Sequence, residues 1–483
     1  MHARYRPERV SILTSHRMKR PWLLALLCFV AGGNAAAVNL LDVYTRALDT
    51  DPQWKQAGFT RLALREDRTQ ALLNLLPLDV TANKNAFGVG SRTYRSPAFA
   101  AASLSINLFS WDSWVALKSA DATVAQAEAN YQAAAQSLIQ RVTQQYFAVL
   151  AAQDTLASTQ SALQSVQTQL DRAEQLSRTG LIAVTDVQLA RASRDSINAA
   201  VIAAKRSLAT QEDLLAAITN ETYSSLAGPR DDMPLLAPDP ASEDQWVTTA
   251  MSQNASLTAS RLAAEIAHDN LRTAYGGHLP TINVSVSRNW ALEHGNFTGA
   301  TGPIGQEALV AAINGSPTAI DTGDVFWSVG ISVPLFTAGA TQSKVRQARY
   351  SWEAAQAGTE FTSRQTEEQT RDAYQGLLSQ IAQVRALKQA VESDRVALEA
   401  TLAGYEAGTK TVVDVLTSRA QLLQDDTNFA LAKYAYLNDI VSLRLAAGDL
   451  NRAIVEEING WLVEPRPPPP SVPSPAPIPT PQP

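Results

Sequence analysis

Gly180-Leu-Ile-Ala-Val-Thr-Asp-Val187 recurs 228 positions later as Gly408-Thr-Lys-Thr-Val-Val-Asp-Val415, with the glycine and the closing Asp-Val kept. The register extends outward, laying Ala120 on Ala348, Tyr146 on Tyr374, Arg191 on Arg419 and Ala192 on Ala420. A match at one fixed shift over this length is an internal duplication. Ahead of the first glycine, Asp112 to Arg178 holds neither glycine nor proline and is rich in Ala, Gln, Leu and Ser. That composition predicts one helix of roughly 100 Å at about 1.5 Å per residue. Thr179-Gly180 supplies the backbone turn that ends it, and a second breaker-free segment returns as far as Gly228. The other copy reads alike: a helix over Ala340 to Ala407, a turn at Gly408-Thr409 and a return from Thr411 to Ala447. Val149, Leu156, Leu163 and Leu170 recur every seven residues, and Leu377, Val384, Val391 and Leu398 repeat the row in the second copy. A sustained seven-residue seam packs helices as a left-handed coiled coil.

Each hairpin is preceded by a shorter helix, about Asn39 to Leu75 and about Glu243 to Tyr275, and by a pair of strand candidates. Thr281 to Leu292 alternates, with Ile282, Val284, Val286, Trp290 and Leu292 on one face and Thr281, Asn283, Ser285, Ser287 and Asn289 on the other. Val325 to Leu335 alternates in the same way, while Leu78 to Phe87 and Ala98 to Phe109 do so less cleanly. An apolar face backed by small polar residues at period two suits a lipid-facing, water-lined barrel strand. Trp111, Trp290, Trp327, Phe109 and Phe336 lie near strand ends, where membrane-interface aromatics belong. The strands alone fit a small sandwich with an aromatic core nearly as well. Four strands per chain would leave two open edges in lipid, which is forbidden, so a membrane reading requires several copies to pool their strands under cyclic symmetry.

Met1 to Arg20 is basic, Trp22 to Val30 is apolar and Ala35-Ala36-Ala37 is small, which together read as a secretory signal over residues 1–37, with Met18 as an alternative start. Cys28 is the one cysteine and sits inside that apolar core after Leu26-Leu27, so neither a lipid anchor nor a disulfide scaffold is expected. The expected organisation is a first repeat over 38–227, a connector over 228–242, a second repeat over 243–461 and a proline-rich disordered tail over 462–483. No mature stretch of eighteen apolar residues is present to span a bilayer as a helix. A net charge of -6 with scattered Lys and Arg argues against nucleic acid. Enzyme chemistry finds no footing: His268, His278 and His294 form no metal-ligand spacing, and no glycine-rich phosphate loop precedes a helix. No cofactor or metal is expected. A periplasmic coiled-coil adaptor or structural protein without its own channel is the competing reading, and the four alternating strands and the duplication argue against it.

From these residues the chain resembles the TolC family of trimeric outer-membrane efflux proteins. The resemblance is carried by Gly180 to Val187 with Ala190-Arg191-Ala192, by Ala403 to Val415, by Tyr146-Phe147-Ala-Val-Leu150, and by Leu-Pro steps at Leu76-Pro77 and Leu279-Pro280. It implies a mostly α fold in which duplicated helical hairpins form a periplasmic tunnel and four strands per chain join a twelve-stranded barrel in a homotrimer. It also implies an exit duct of a tripartite efflux or type I secretion system. The partners would be a periplasmic adaptor, an inner-membrane transporter driven by protons or ATP, and outer-membrane lipid. The periplasmic gate network would then fall on Gln169, Thr185, Asp186, Tyr405 and Lys410, with Tyr405 able to donate to Asp186 or Thr185 and Lys410 to an acid across the junction. Asp414 would supply a ring of three carboxylates, and Gly180, Leu181, Gly408 and Thr409 the turns that dock an adaptor. Three departures stand out: Lys410 replaces an arginine, Leu402 an acid and Thr417 a second aspartate of the type protein. A point charge in place of a bidentate fork and a single ring in place of two imply a looser gate and weaker block by multivalent cations.

Overall fold

The computed structural model describes residues 38–75, 78–83, 86–89, 92–95, 99–180, 183–223, 225–230, 232–291 and 325–463. The expected signal, Leu76-Pro77, Leu181, Leu292 and the proline-rich stretch from residue 464 lie outside them. The helices are α1 (Leu40–Thr50), α2 (Pro52–Leu73), α3 (Trp111–Arg178), α4 (Val184–Thr219), α5 (Glu243–Gln253), α6 (Ala255–Gly276), α7 (Ala340–Glu406), α8 (Val412–Ala447) and α9 (Arg452–Asn459). The strands are β1 (Leu78–Asn83), β2 (Ala86–Val89), β3 (Arg92–Arg95), β4 (Phe99–Phe109), β5 (Gly228–Pro229), β6 (Thr281–Ala291), β7 (Val325–Ser332) and β8 (Leu462–Val463).

The duplication is kept in the element boundaries. Shifting α4 by 228 reproduces α8 at both ends, and α3 and α7 differ by one residue in length (68 and 67). Ahead of the hairpins the shift is instead 203, which takes α1 onto α5, α2 onto α6 and the start of β1 onto the start of β6. The difference of 25 residues lies in the longer connection between β6 and β7. Both short helices expected from sequence are split. Asp51 caps α2 through its carboxylate and Trp54 N–H, and Pro52 occupies the first helical position; Asn254 caps α6 in the same way through Leu257 N–H. The return helix α4 ends at Asn220 in the left-handed region rather than running to Gly228. The connector is also more structured than its composition suggested: β5 pairs with β8, so the ordered chain extends through Val463 rather than stopping at Trp461.

The four long strands form one antiparallel sheet in the order β1-β4-β6-β7, with β1 and β7 at its two edges. A separate hairpin, β2-β3, was not anticipated. Register pairing lines up Leu78, Leu104, Val286 and Trp327 as one apolar row across all four strands, and Ile106, Val284 and Val329 as another. This face is open: Leu78, Val80, Trp327, Val329 and Ile331 are all more than half exposed. On the other face Ser105, Ser285 and Ser328 line up, with a hydroxyl contact of 2.7 Å between the last two, beside Asn107, Asn283 and Gly330. A Cβ at Gly330 would fall 2.5 Å from Asn283 Oδ1, so the cross-strand amide occupies the space a side chain would need.

The main core lies midway along the helices. Tyr146, Phe147, Leu138, Leu437 and Tyr436 are fully enclosed, and Phe147 meets Tyr146 edge-on at 5.5 Å and Tyr434 face-on at 5.9 Å. Burying each such side chain contributes on the order of 1.5–3 kcal/mol. Each phenol finds a partner, as buried hydroxyls require. Tyr146 donates to Ala227 C=O (2.7 Å), Tyr434 donates to Asp154 (2.6 Å), and Tyr436 accepts from Leu236 N–H (2.7 Å). Burial raises the pKa of all three, so they stay protonated. Tyr146 and Tyr436 thereby tie the inter-repeat segment onto the long helices. Among the described residues no helix is long and apolar enough to cross a membrane.

Candidate functional site: the free ends of the hairpins

The two turns share their left-handed glycines, Gly180 at φ 75° and Gly408 at φ 76°, a backbone conformation that favours glycine. Beyond that they differ. At the second turn Gly404 C=O accepts from Thr409 N–H (2.9 Å), Lys410 N–H (3.1 Å) and Thr409 Oγ1 (3.0 Å). Thr411 and Asp414 then form a reciprocal capping box at the start of α8. At the first turn the cap position is Ala183, which offers no side-chain oxygen, so α4 starts without a side-chain cap. Leu181 lies outside the described residues.

The network residues fall into two groups. Gln169 is buried on α3 beside a small apolar cluster of Leu170, Ala173, Val187 and Ala190, and its Nε2 is shielded with no acceptor. Tyr405 Oη, near the end of α7, is likewise shielded and unpartnered. The two residues approach one junction, because Arg172, one turn beyond Gln169 on the same face of α3, places its guanidinium 5.5 Å from the Tyr405 ring and 3.7 Å from Glu406. The contact expected between Tyr405 and Asp186 or Thr185 is not formed: among the described residues Thr185 and Asp186 have no side-chain partner. The ring of Tyr405 instead has Arg172 of α3 beside it.

Lys410 does not pair across the junction. It is exposed, and its stem packs beside Gly404. The cross-hairpin ion pair is Arg172–Glu406, which the sequence reading did not single out. Asp414 is engaged with its own helix, accepting from Thr411 N–H at 2.8 Å and from the Thr411 hydroxyl at 2.9 Å. Those bonds, the backbone one first, hold its carboxyl below the usual range, with nearby Lys410 adding a smaller effect in the same direction. It is therefore charged throughout the neutral range.

Arg191 and Arg419, equivalent in the repeat, have different surroundings. Arg191 reaches Glu174 at 2.9 Å. The position equivalent to Glu174 is Leu402, and Arg419 keeps Nε and Nη1 shielded without an acceptor; desolvation lowers its pKa. The repeat alignment already paired the two arginines, so comparing their facing residues would have exposed the difference. Among the described residues no cluster of His, Cys, Asp and Glu could hold a metal ion.

The family described as "Outer membrane efflux protein" matches residues 43–221 and 246–449, which together cover most of the chain. The chain belongs to the outer membrane efflux protein family. Its members are outer-membrane ducts, a family of channels and not one known for enzymes. The chain is 32% identical over 428 residues to Outer membrane protein TolC of Vibrio cholerae, covering 88% of this chain and 94% of that protein. It is 25% identical to the proteases secretion protein PrtF of Dickeya chrysanthemi, covering 91% and 94%. In fold it is similar to the outer membrane channel CmeC of Campylobacter jejuni, with a TM-score of 0.68 at 16% identity over 92% of this chain and 98% of that one. These efflux-family relationships place the protein in the outer membrane, as an exit duct for efflux or type I secretion.

Proposed function

We propose that three copies of the chain close one barrel, and that the hairpin ends dock a periplasmic adaptor beneath which an inner-membrane transporter supplies the energy. The carrying observation is the sheet: a continuous exposed apolar row, two unpaired edges and a small polar opposite face, joined to hairpins of about 100 Å. Four strands cannot stand alone in lipid, and three sets give twelve. The efflux family and the relative named for protease secretion support both kinds of cargo. Export is passive, with no step catalysed by this chain.

The gate we assign to the hairpin ends uses Gln169, Thr185, Asp186, Tyr405 and Lys410, with Asp414 as a ring of three carboxylates. In support, Gln169 and Tyr405 carry shielded polar atoms that one chain leaves unpartnered, while Thr185, Asp186 and Lys410 have side chains free to meet a neighbouring copy. The capping box fixes the Asp414 carboxylate and keeps it ionised. Cross-linking in cells from cysteines placed at Leu181 and Thr409 tests the docking. Capture of an adaptor with a proton-driven or an ATP-driven transporter upholds it and names the cargo class; recovery of no adaptor from correctly localised protein overturns it. Asp414→Ala should change cation block in bilayer recordings, and unchanged block would remove the ring.

A further inference from the structure

The repeat leaves one packing position empty in a single chain. Helix α6 lies between α7, the long helix of its own repeat, and α3, the long helix of the other. Its equivalent α2 packs against α3 of its own repeat, with no long helix of the other repeat on its outer side, and not one of its residues is buried. The missing neighbour is the counterpart of α3, which is α7, and in this chain α7 lies at the opposite flank. The sheet has the same gap: β4 of one repeat pairs with β6 of the other, while their counterparts β7 and β1 are the two open edges.

The contact between α6 and α3 contains a specific ion pair. Lys118 Nζ lies 3.2 Å from Asp269 Oδ2 and 3.2 Å from Glu265 Oε1, with Asp269 fully buried and also met by Arg272 at 3.3 Å. Applying the two repeat shifts, Asp269 corresponds to Glu66 on α2, and Lys118 to Arg346 on α7. Charge sign is preserved at both positions. Glu66 and Arg346 are both exposed and, among the described residues, neither has an ionic partner. They stand at matching heights: Glu66 is 12 residues ahead of β1, and Arg346 is 14 residues beyond β7. The Glu265 position is Leu62 on α2, 50% exposed, beside Phe59 at 70%, and on α7 Tyr350 is 65% exposed one turn beyond Arg346. Phe59, Leu62 and Glu66 share a face of α2 by their spacing of three and four. One flank thus carries an acidic group beside an apolar pair, and the other a basic group beside an aromatic ring.

We propose that the α2 flank of one copy docks on the α7 flank of a second copy of this chain, with Glu66 paired to the partner's Arg346 as Asp269 is to Lys118. This rests on the oligomeric duct reading and adds the flank, the direction of assembly and the residues. The seam is heterologous, each copy giving one flank and receiving the other, which is the kind of contact a cyclic ring repeats.

The test is a Glu66→Cys, Arg346→Cys double variant of the full chain in a Cys28→Ser background, treated in outer-membrane vesicles with a short bismaleimide. The expected result is a covalent series ending at the closed ring, absent from either single variant. Lys118→Cys with Asp269→Cys is the control and should cross-link within one chain. A positive control with monomer alone from the test pair overturns the seam. Arg346→Glu should lose most of the detergent-resistant oligomer and adding Glu66→Arg should restore it; loss without restoration also counts against the pair. Adaptor capture at the hairpin ends without a covalent ring sinks the seam and spares the duct. A covalent ring without capture sinks the adaptor reading and spares the seam.

Discussion

The outer parts of the two hairpins are built on one plan from opposite materials. In the first, Val166, Leu170 and Ala173 on α3 are buried and Val187 and Ala190 on α4 close on them, with Glu174–Arg191 as a flanking ion pair. In the second, the position of Val166 is Asp394 and that of Ile197 is Asp425, and the Asp425 carboxyl raises the pKa of Asp394. Thr401 and Ser418 replace Ala173 and Ala190 and meet through their hydroxyls at 3.3 Å. Leu402 replaces Glu174 and leaves Arg419 without its acid. The second hairpin is fastened at its turn by the capping box and the Gly404 carbonyl, and above it keeps Val391 and Val415 buried among a larger share of polar side chains. Apolar burial holds regardless of pH, whereas a seam of hydroxyls and carboxyls exchanges readily with water. The difference predicts that the first hairpin opens less readily than the second.

The strongest way to break this comparison is truncation of equivalent leucines. Leu170→Ala should lower the local opening free energy of the first hairpin by about 2–5 kcal/mol, while Leu398→Ala, at a half-buried site, should cost clearly less. Amide hydrogen exchange around each site reads both, and equal losses would remove the contrast. Next in size, Thr411→Ala dismantles the capping box and should cost about 0.5–2 kcal/mol at the start of α8, seen as faster exchange in its first turn. Ala183→Thr should slow exchange at the uncapped start of α4. A smaller gain, about 0.2–1 kcal/mol, should follow Leu402→Glu, which returns to Arg419 the acid that Arg191 has. Slower exchange near Arg419, lost again in the added variant Arg419→Leu, would confirm the pairing.

The smallest effect at any single pH belongs to the aspartate pair. The hydrogen bond with Asp425 raises the pKa of Asp394 and that with Gln421, together with the shared one, lowers the pKa of Asp425, so folding favours one proton held between them. The raised Asp394 value contributes stability that is fully present below the ordinary aspartate range and lost as pH climbs through the raised value, whereas the lowered Asp425 value contributes stability present above the ordinary range and lost as pH falls through the lowered one. The seam of the second hairpin should therefore tighten as pH falls from neutral through the raised Asp394 value and loosen again below the lowered Asp425 value. Asp414 runs the other way: its lowered value means the capping box is present above the ordinary range and weakens as pH falls through the lowered one. Asp394→Asn should abolish the first trend and keep the second, with exchange measured at residues 390–400 and 411–416 across the acid range.

Long-range order was readable in the sequence because it is periodic. The breaker-free runs, the seven-residue rows and the glycine turns mark the hairpins to within one or two residues except at the end of α4, which stops at Thr219 instead of running to Gly228, and alternation marks the long strands. What escaped reading depends on single side chains. Asp51-Pro52 and Asn254 end one helix and start the next, and a cap is a local event inside a run that still looks helical. The 25-residue offset between the two repeat shifts does not show in the hairpins, which align at a single shift. At the candidate site, burial of Gln169 could be inferred from its place beside the heptad row. The role of Arg172 could not, since whether Tyr405 faces α3 or α4 depends on how two hairpins settle against each other and no spacing within either encodes that.

The boundary-for-boundary agreement of the two hairpins has a consequence for how such a chain can change. Removing one heptad from α3 alone would lift one tip by about 10 Å while its companion stayed in place, so the two hairpins would no longer end at one level. Length is therefore a shared dimension, adjustable only by matched edits in four helices. Side-chain chemistry along the seams is free of that constraint, and the two hairpins have diverged there instead.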